Sequence, residues 1–250
     1  MFKMAIEGEL TDFRDGFFPN IGMGAQSAYN SVDAPLWFFW CIQQYAYINN
    51  ARTEVWNLYS KVMKQILDTF AEGTDNVRMD SNYLLWQSQS GKALTWMDAI
   101  VDGVPVTPRN GYAVEINALW YNAVMFYREL AELACSDGES AKWDEFASVF
   151  PSSFKSTFWS KEKGYLADCV NGAERDFSVR CNMIFAVSMP YTCLSLKIRQ
   201  LIVEKVKQEL LTPYGLRSLS PKAENYHPHY RGNQHERDFA YHNGTVWTWP

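Results

Sequence analysis

Residues 113–134 are apolar on more than one face. Val114, Ile116, Leu119, Tyr121, Val124, Met125 and Leu130 do not fall on a single stripe. A helix on a protein surface shows one apolar stripe, whereas one that is apolar around its circumference has to be enclosed by other elements. Helices able to enclose it are present. Val55, Leu58, Tyr59, Val62, Ile66 and Phe70 recur at helical spacing, and so do Ile198, Ile202, Val203, Val206 and Leu210. Another helix starts near Asp33, with Pro35 where first-turn prolines sit, and runs through Trp37, Phe38 and Cys41. The expected fold is mainly α, helix packed on helix.

Long loops separate these helices, over residues 19–32, 80–111 and 211–244. They are rich in Trp, Tyr and Asn, and loops of this length in a compact domain are commonly functional. Lys163-Gly164 and Asn171-Gly172 are turn signals on either side of a short β-like run, 165–170, so small β additions are expected. Residue content supports a globular chain, with 20% charged and 47% apolar residues. The 23 basic residues against 28 acidic ones leave no dominant basic face, which argues against nucleic acid as a partner. No apolar run approaches the roughly 18 residues of a membrane span.

The five cysteines, Cys41, Cys135, Cys169, Cys181 and Cys193, form no C-x-x-C pair. They read as free, mostly buried thiols in a reducing compartment. MFKMAIEGEL lacks the features of a signal peptide, so a cytoplasmic location is expected. His227, His229, His235 and His242 share one late segment, but their spacing fits no compact zinc motif, and no metal is expected.

Ten Trp, fourteen Tyr and fifteen Phe are an unusual load. They suit either a Trp-rich helical core or a sugar site, where a pyranose packs its apolar face on a ring. Candidate chemistry lies in several blocks. In Leu94-Thr95-Trp96-Met97-Asp98-Ala99, a carboxylate beside an indole is a device for raising a pKa, as a general acid requires; the alternative is a surface or capping aspartate. In the block from Val106, Glu115, Leu119 and Asn122 share a helical face. Arg109 and Glu115 either tie loop to helix or contact a ligand. Segments 178–182, 211–219 and 237–249 mix polar side chains with aromatics, as hydroxyl-rich ligands or ordinary loop anchoring would want.

Together these blocks resemble the glycogen debranching enzyme family, in its C-terminal amylo-α-1,6-glucosidase domain. The matching pieces are Pro19-Asn20, YNSVDAPLWF from Tyr29, LTWMDA from Leu94, VTPRNGYAVEINALWYNA from Val106, GYLAD from Gly164, LLTPYGLRSL from Leu210 and AYHNGTVW from Ala240. They occur in the family's order and span nearly the whole chain. Cys181 and Thr248 stand where the family often has proline.

The resemblance implies an (α/α)6 toroid, the six-hairpin glycosidase fold. It implies an inverting glycoside hydrolase, without cofactor, that removes the α-1,6-linked glucose of glycogen or limit dextrin. Asp98 matches the family's general acid. Asp33, Trp96, Arg109, Glu115, Asn182, His242 and Trp247 are expected to line or support the sugar pocket. The family's Trp-Gly-Arg-Asp element is expected upstream of Met1, and its general base downstream of Pro250. Residues 1–250 then form the central part of one catalytic domain, truncated at both ends. Two alternatives stand beside this reading: another exo-α-glucosidase of the same toroid, glucoamylase- or trehalase-like, and a non-catalytic glycan-binding fragment.

Overall fold

The computed structural model describes residues 2–20 and 28–250. Helices α1 (Phe2–Leu10), α2 (Asp33–Ile48) and α3 (Arg52–Glu72) come first. Short strands follow, and then α4 (Val114–Leu133), the single turn α5 (Asp137–Ala141) and α6 (Asp144–Phe158). A 3-10 turn, Cys181–Ile184, leads directly into α7 (Phe185–Ser188). The remaining helices are α8 (Leu196–Glu209) and α9 (Gln234–Tyr241). No helix among the described residues is long and apolar enough to cross a membrane.

Helix α4 is the multiply apolar stretch, and it is enclosed as that pattern demands. α2, α3, α5, α6 and α7 all pack on it. Its buried side chains include Ile116, Leu119, Trp120, Val124, Phe126 and Leu130. Buried polar groups on it are all partnered. Asn122 donates to Gln43 Oε1 of α2 at 2.9 Å and accepts from the Tyr191 backbone at 3.2 Å. Gln43 lies opposite Asn122, and four residues on the Tyr47 ring meets Phe126. Both pairs keep the same offset, so α2 and α4 run parallel. α3 follows α2 after a short turn at Asn49–Ala51 and returns beside it.

The β content is a set of small antiparallel pieces. Val77–Met79 pairs with Leu85–Gln87, and Ile100–Val101 with Val104–Pro105. Both hairpins lie inside or beside the expected loop 80–111. The β-like run 165–170 is split: Tyr165–Leu166 pairs with Trp159–Ser160, while Cys169–Asn171 lies between Tyr112–Ala113 and Glu174–Asp176. Within the expected loop 19–32, residues 21–27 lie outside the described residues. The expected loop 211–244 contains a hairpin and a helix. Leu211–Thr212, Gly215–Arg217 and Val246–Trp247 form a sheet, and α9 is started by a capping box between Asn233 and Glu236.

α6 and α1 also lie beyond the helices expected from periodicity. Phe146, Phe150, Phe154 and Phe158 recur every four residues on α6 and build a ladder of buried rings, with successive centroids 4.9, 5.8 and 4.7 Å apart. All five cysteines are free. Cys169 and Cys181 are buried and Cys41 and Cys193 half-buried, but Cys135 is exposed, because it sits in the turn after α4 rather than on its packed face.

Phe150→Ala removes the second ring of the ladder without opening a route for backfilling. We expect a loss of about 3–5 kcal/mol in urea unfolding, while Cys135→Ser at the exposed turn stays within about 0.5 kcal/mol.

Candidate active site

Backbone pairing carries several charged groups to one end of α2 and α4. Strand Tyr112–Ala113 runs straight into α4, so Glu115 falls in the first turn of the helix. Ala113 pairs with Cys169, and the Val114 N–H donates to the Asp168 carbonyl at 3.0 Å. Asp168 is thereby set beside Glu115. The strands close because residue 111 is glycine: its φ is +106°, and a Cβ there would lie 2.3 Å from the Val170 carbonyl oxygen. Arg109, two residues earlier, takes φ +42°, a left-handed conformation that costs a non-glycine residue about 1 kcal/mol or more. Gln87 Nε2 holds this turn by donating to the Arg109 carbonyl at 2.5 Å.

That turn aims the guanidinium inward. Arg109 Nη1 and Nη2 donate to the two carboxylate oxygens of Glu115, the second at 2.5 Å. Nε donates to Asp168 Oδ2 at 2.6 Å. Nη2 also reaches the Asp168 carbonyl at 3.1 Å, and Nη1 reaches Thr95 Oγ1 at 3.2 Å. All five N–H donors of the guanidinium are therefore used. The three charged side chains are 3% exposed or less. Burial works against the guanidinium, but the Asp168 and Glu115 charges overrule it and hold its pKa well above the ordinary value.

The network continues through amides. Asn182 Nδ2 donates to the other Asp168 oxygen at 2.8 Å, and Asn182 Oδ1 accepts from Trp96 Nε1 at 2.9 Å. A second buried cation, Arg180, has its Nε 3.9 Å from Asp168 Oδ2. It donates to the His242 carbonyl at 2.6 Å and to Asn243 Oδ1 at 3.2 Å. Backbone contact brings the last segment in: Gly215 lies so close to Trp247 that a Cβ would meet the Trp247 carbonyl oxygen at 2.0 Å. Trp247 then stacks on His242 at 5.6 Å and 16°, and the Trp96 ring stands edge-on to both.

Above this scaffold lies a cleft of about 450 Å³, lined among others by Ser31, Asp33, Trp37, Thr95, Trp96 and Asp98. Asp98 is at its rim, with its side chain 47% exposed. The neighbouring indole does not enclose that carboxyl. Trp96 turns inward because its N–H needs an acceptor, and Asn182 supplies it. Asp33 is buried in the first turn of α2 and accepts from Ser31 Oγ. Burial pushes its pKa up to about 6; the Ser31 hydrogen bond opposes this, and the Glu115 and Asp98 charges add to it. His242 is fully buried, its Nε2 3.8 Å from Asp98 Oδ1. Burial holds the imidazole below its ordinary pKa, so it is neutral.

The sequence-derived residues thus fall in two tiers. Asp33, Trp96 and Asp98 line the cleft. Arg109, Glu115, Asn182 and His242 lie buried beneath it, and Trp247 backs the Trp96 and His242 rings. Asp168 was not among the residues singled out, although it ends the GYLAD block. Its partner Arg109 is 59 positions away, so no local pattern marks it. Among the described residues, no group of three or more His, Cys, Asp and Glu is placed to hold a metal. Three of the four histidines line a surface pocket formed by the segment around α9, apart from His242.

A sequence profile described as amylo-alpha-1,6-glucosidase matches residues 3–250. The chain belongs to the amylo-alpha-1,6-glucosidase family. It is 26% identical to the glycogen debranching enzyme of Saccharomyces cerevisiae, over 62% of this chain and 13% of the yeast protein. Its fold is similar to the GH78 family rhamnosidase of Bacillus sp. GL1, with a TM-score of 0.57 and 16% identity over 82% of this chain and 20% of that chain. At that identity the likeness speaks to the fold alone, a mainly helical one with small strand hairpins. The chain spans a minor part of the length of both relatives.

Two outcomes follow for this amylo-alpha-1,6-glucosidase family chain. Arg109→Met leaves Glu115 and Asp168 buried without their cation, and is expected to lower stability by about 3–5 kcal/mol in urea unfolding. Asp33 acts in the opposite sense. Its folded pKa of about 6 lies above the ordinary 3.8, so its protonation supports the fold fully below 3.8 and that support is lost as pH rises through about 6. The difference corresponds to about 3 kcal/mol. Asp33→Asn is therefore expected to raise the melting temperature at neutral pH and to flatten its pH dependence between 3.8 and about 6; a melting temperature lowered at neutral pH would contradict this.

Proposed function

We propose that this chain carries the proton-donating side of an inverting α-1,6-glucosidase that releases the single glucose at a branch point of glycogen or limit dextrin. One observation carries the reading. Asp98 stands half-exposed at the rim of a cleft shared with Asp33, Trp37 and Trp96, while every other carboxylate beneath it is committed to Arg109.

In this reading Asp98 gives its proton to the glycosidic oxygen as the bond to the anomeric carbon breaks. A second carboxylate, roughly 6.5–9.5 Å away, takes a proton from the water that attacks the opposite face. Glu115 and Asp168 cannot serve as that base, since Arg109 occupies them, and Asp33 is held by Ser31. We assign the base to a part of the protein outside residues 1–250. Asp33 is assigned to accept from sugar hydroxyls, and Trp37 and Trp96 to offer rings to the pyranose face. Arg109, Glu115, Asn182 and Trp247 hold Trp96 and the cleft floor in place. No cofactor takes part.

The same reading extends to the fold. Parallel α2 and α4, with α3 returning alongside, support reading them as the inner and outer alternation of an (α/α)6 toroid. We assign residues 1–250 to the central part of one such domain, in a cytoplasmic protein.

The test is glucose release from a phosphorylase limit dextrin by the full-length protein, with the first anomer followed by NMR. β-Glucose is expected, and Asp98→Asn should slow release about 10²–10⁴-fold while dextrin binding persists. Undiminished release by Asp98→Asn removes Asp98 from the role. Binding without release by the unaltered protein would point to a glycan-binding chain instead, and faster release from maltosyl or trehalose substrates to another exo-glucosidase.

A further inference from the structure

Among the described residues of the site, Arg180 Nε and Gln87 Oε1 are single buried atoms without a hydrogen-bond partner, whereas His242 has every polar atom of its side chain unpaired. Its ring is fully buried, and neither Nδ1 nor Nε2 has a hydrogen-bond partner. Leaving a buried polar group unpaired costs about 1–3 kcal/mol, so such a group invites a role. The ring has little freedom to find a partner by moving. It stacks on Trp247, meets Trp96 edge-on at 5.1 Å and touches Tyr241 at 4.6 Å. Its own carbonyl is gripped by Arg180 at 2.6 Å.

A carboxylate stands just out of the ring's reach on a more open side chain. Asp98 Oδ1 lies 3.8 Å from Nε2, about 1 Å beyond a good hydrogen bond, on a half-exposed side chain. Among described residues, the charged groups felt at the imidazole are Asp98, Arg180 and Arg109. Asp98 in turn acts on Asp33 and on Tyr241. The two cations and burial keep the imidazole neutral, which leaves it one N–H to donate and no charge to lose.

We propose that His242 is a positioning residue for Asp98: its Nε2–H captures Asp98 Oδ1 when a sugar fills the cleft, and so turns the protonated Oδ2 toward the leaving oxygen. The inference rests on the assignment of Asp98 as general acid. The proton that moves is the one on Asp98 Oδ2, which passes to the glycosidic oxygen as the C–O bond breaks. The His242 proton stays on Nε2 and stabilises the carboxylate left behind. A fixed donor to a carboxylate favours its charged form.

The experiment compares His242→Phe and His242→Gln in the full-length protein. Phenylalanine keeps the stack on Trp247 and loses the donor, whereas the glutamine amide places a donor near the position of Nε2. His242→Phe is expected to lower kcat about 10–100-fold with KM changed less than about threefold. The alkaline limb of its kcat profile, which reports loss of the Asp98 proton, should move to higher pH. His242→Gln should recover at least part of the rate and return the limb toward its original position. An unshifted limb in His242→Phe, or a glutamine variant as slow as the phenylalanine one with its limb unmoved, overturns the proposal. If His242→Phe does not fold, the glutamine variant decides: a limb and kcat near those of the unaltered protein support the donor, and a loss equal to that of Asp98→Asn counts against it. Asp98→Asn run alongside separates the two assignments. An active Asp98→Asn removes the general acid itself, whereas an inactive one with an unshifted His242→Phe limb removes only the role of His242.

Discussion

The Arg109 guanidinium, clamped between Glu115 and Asp168, is the interaction around which the rest of the structure is arranged. Each of its five N–H groups has an acceptor, and the acceptors come from three pieces of chain: Glu115 at the start of α4, Asp168 just before the strand Cys169–Asn171, and Thr95. Buried charges are tolerated only when paired and hydrogen-bonded. The geometry of these pieces is consequently mutual: displacing any one strands a charge in an apolar interior. The left-handed turn at Arg109 and the glycine at 111 are the local costs of bringing them together.

This arrangement separates rigid from responsive groups. Glu115, Asp168 and Asn182 are saturated with partners, and through Asn182 they fix the Trp96 indole. What remains adjustable stands above them. Asp98 is half-exposed, and Asp33 is buried at a cost that its Ser31 partner offsets only in part. A carboxyl kept in an unfavourable place is ordinary in a functional cleft and unusual in a core. His242 sits on the boundary, immobile like the scaffold yet unsatisfied like the cleft.

Four helices were legible: α3 and α8 by one apolar stripe, α4 by apolar side chains on several faces, and α2 by its start at Asp33 and Pro35. α6 was legible in principle, since four phenylalanines recur every four residues, and α9 through Asn233 and Glu236 at capping-box spacing. α9 is eight residues long with Ala240 as its one buried side chain, so its cap is the clearest local signal. Asp33, Trp96 and Asp98 were found through family blocks and share one cleft, but the blocks do not say which residues face it. Asp168 escaped because its partner is distant in the chain.

By itself the sequence determined that the chain is helical, that one helix is surrounded, and which family blocks it carries, because helical periodicity and motif order are local properties. Whether Arg109 holds Glu115 alone or also Asp168, whether Asp98 is enclosed or open, and that His242 has no partner were decided only by tertiary structure. Burial, hydrogen bonding and the resulting charge states depend on which segments meet, and here they meet across tens of residues through strand pairing at Ala113 and Cys169 and the close approach of Gly215 to Trp247.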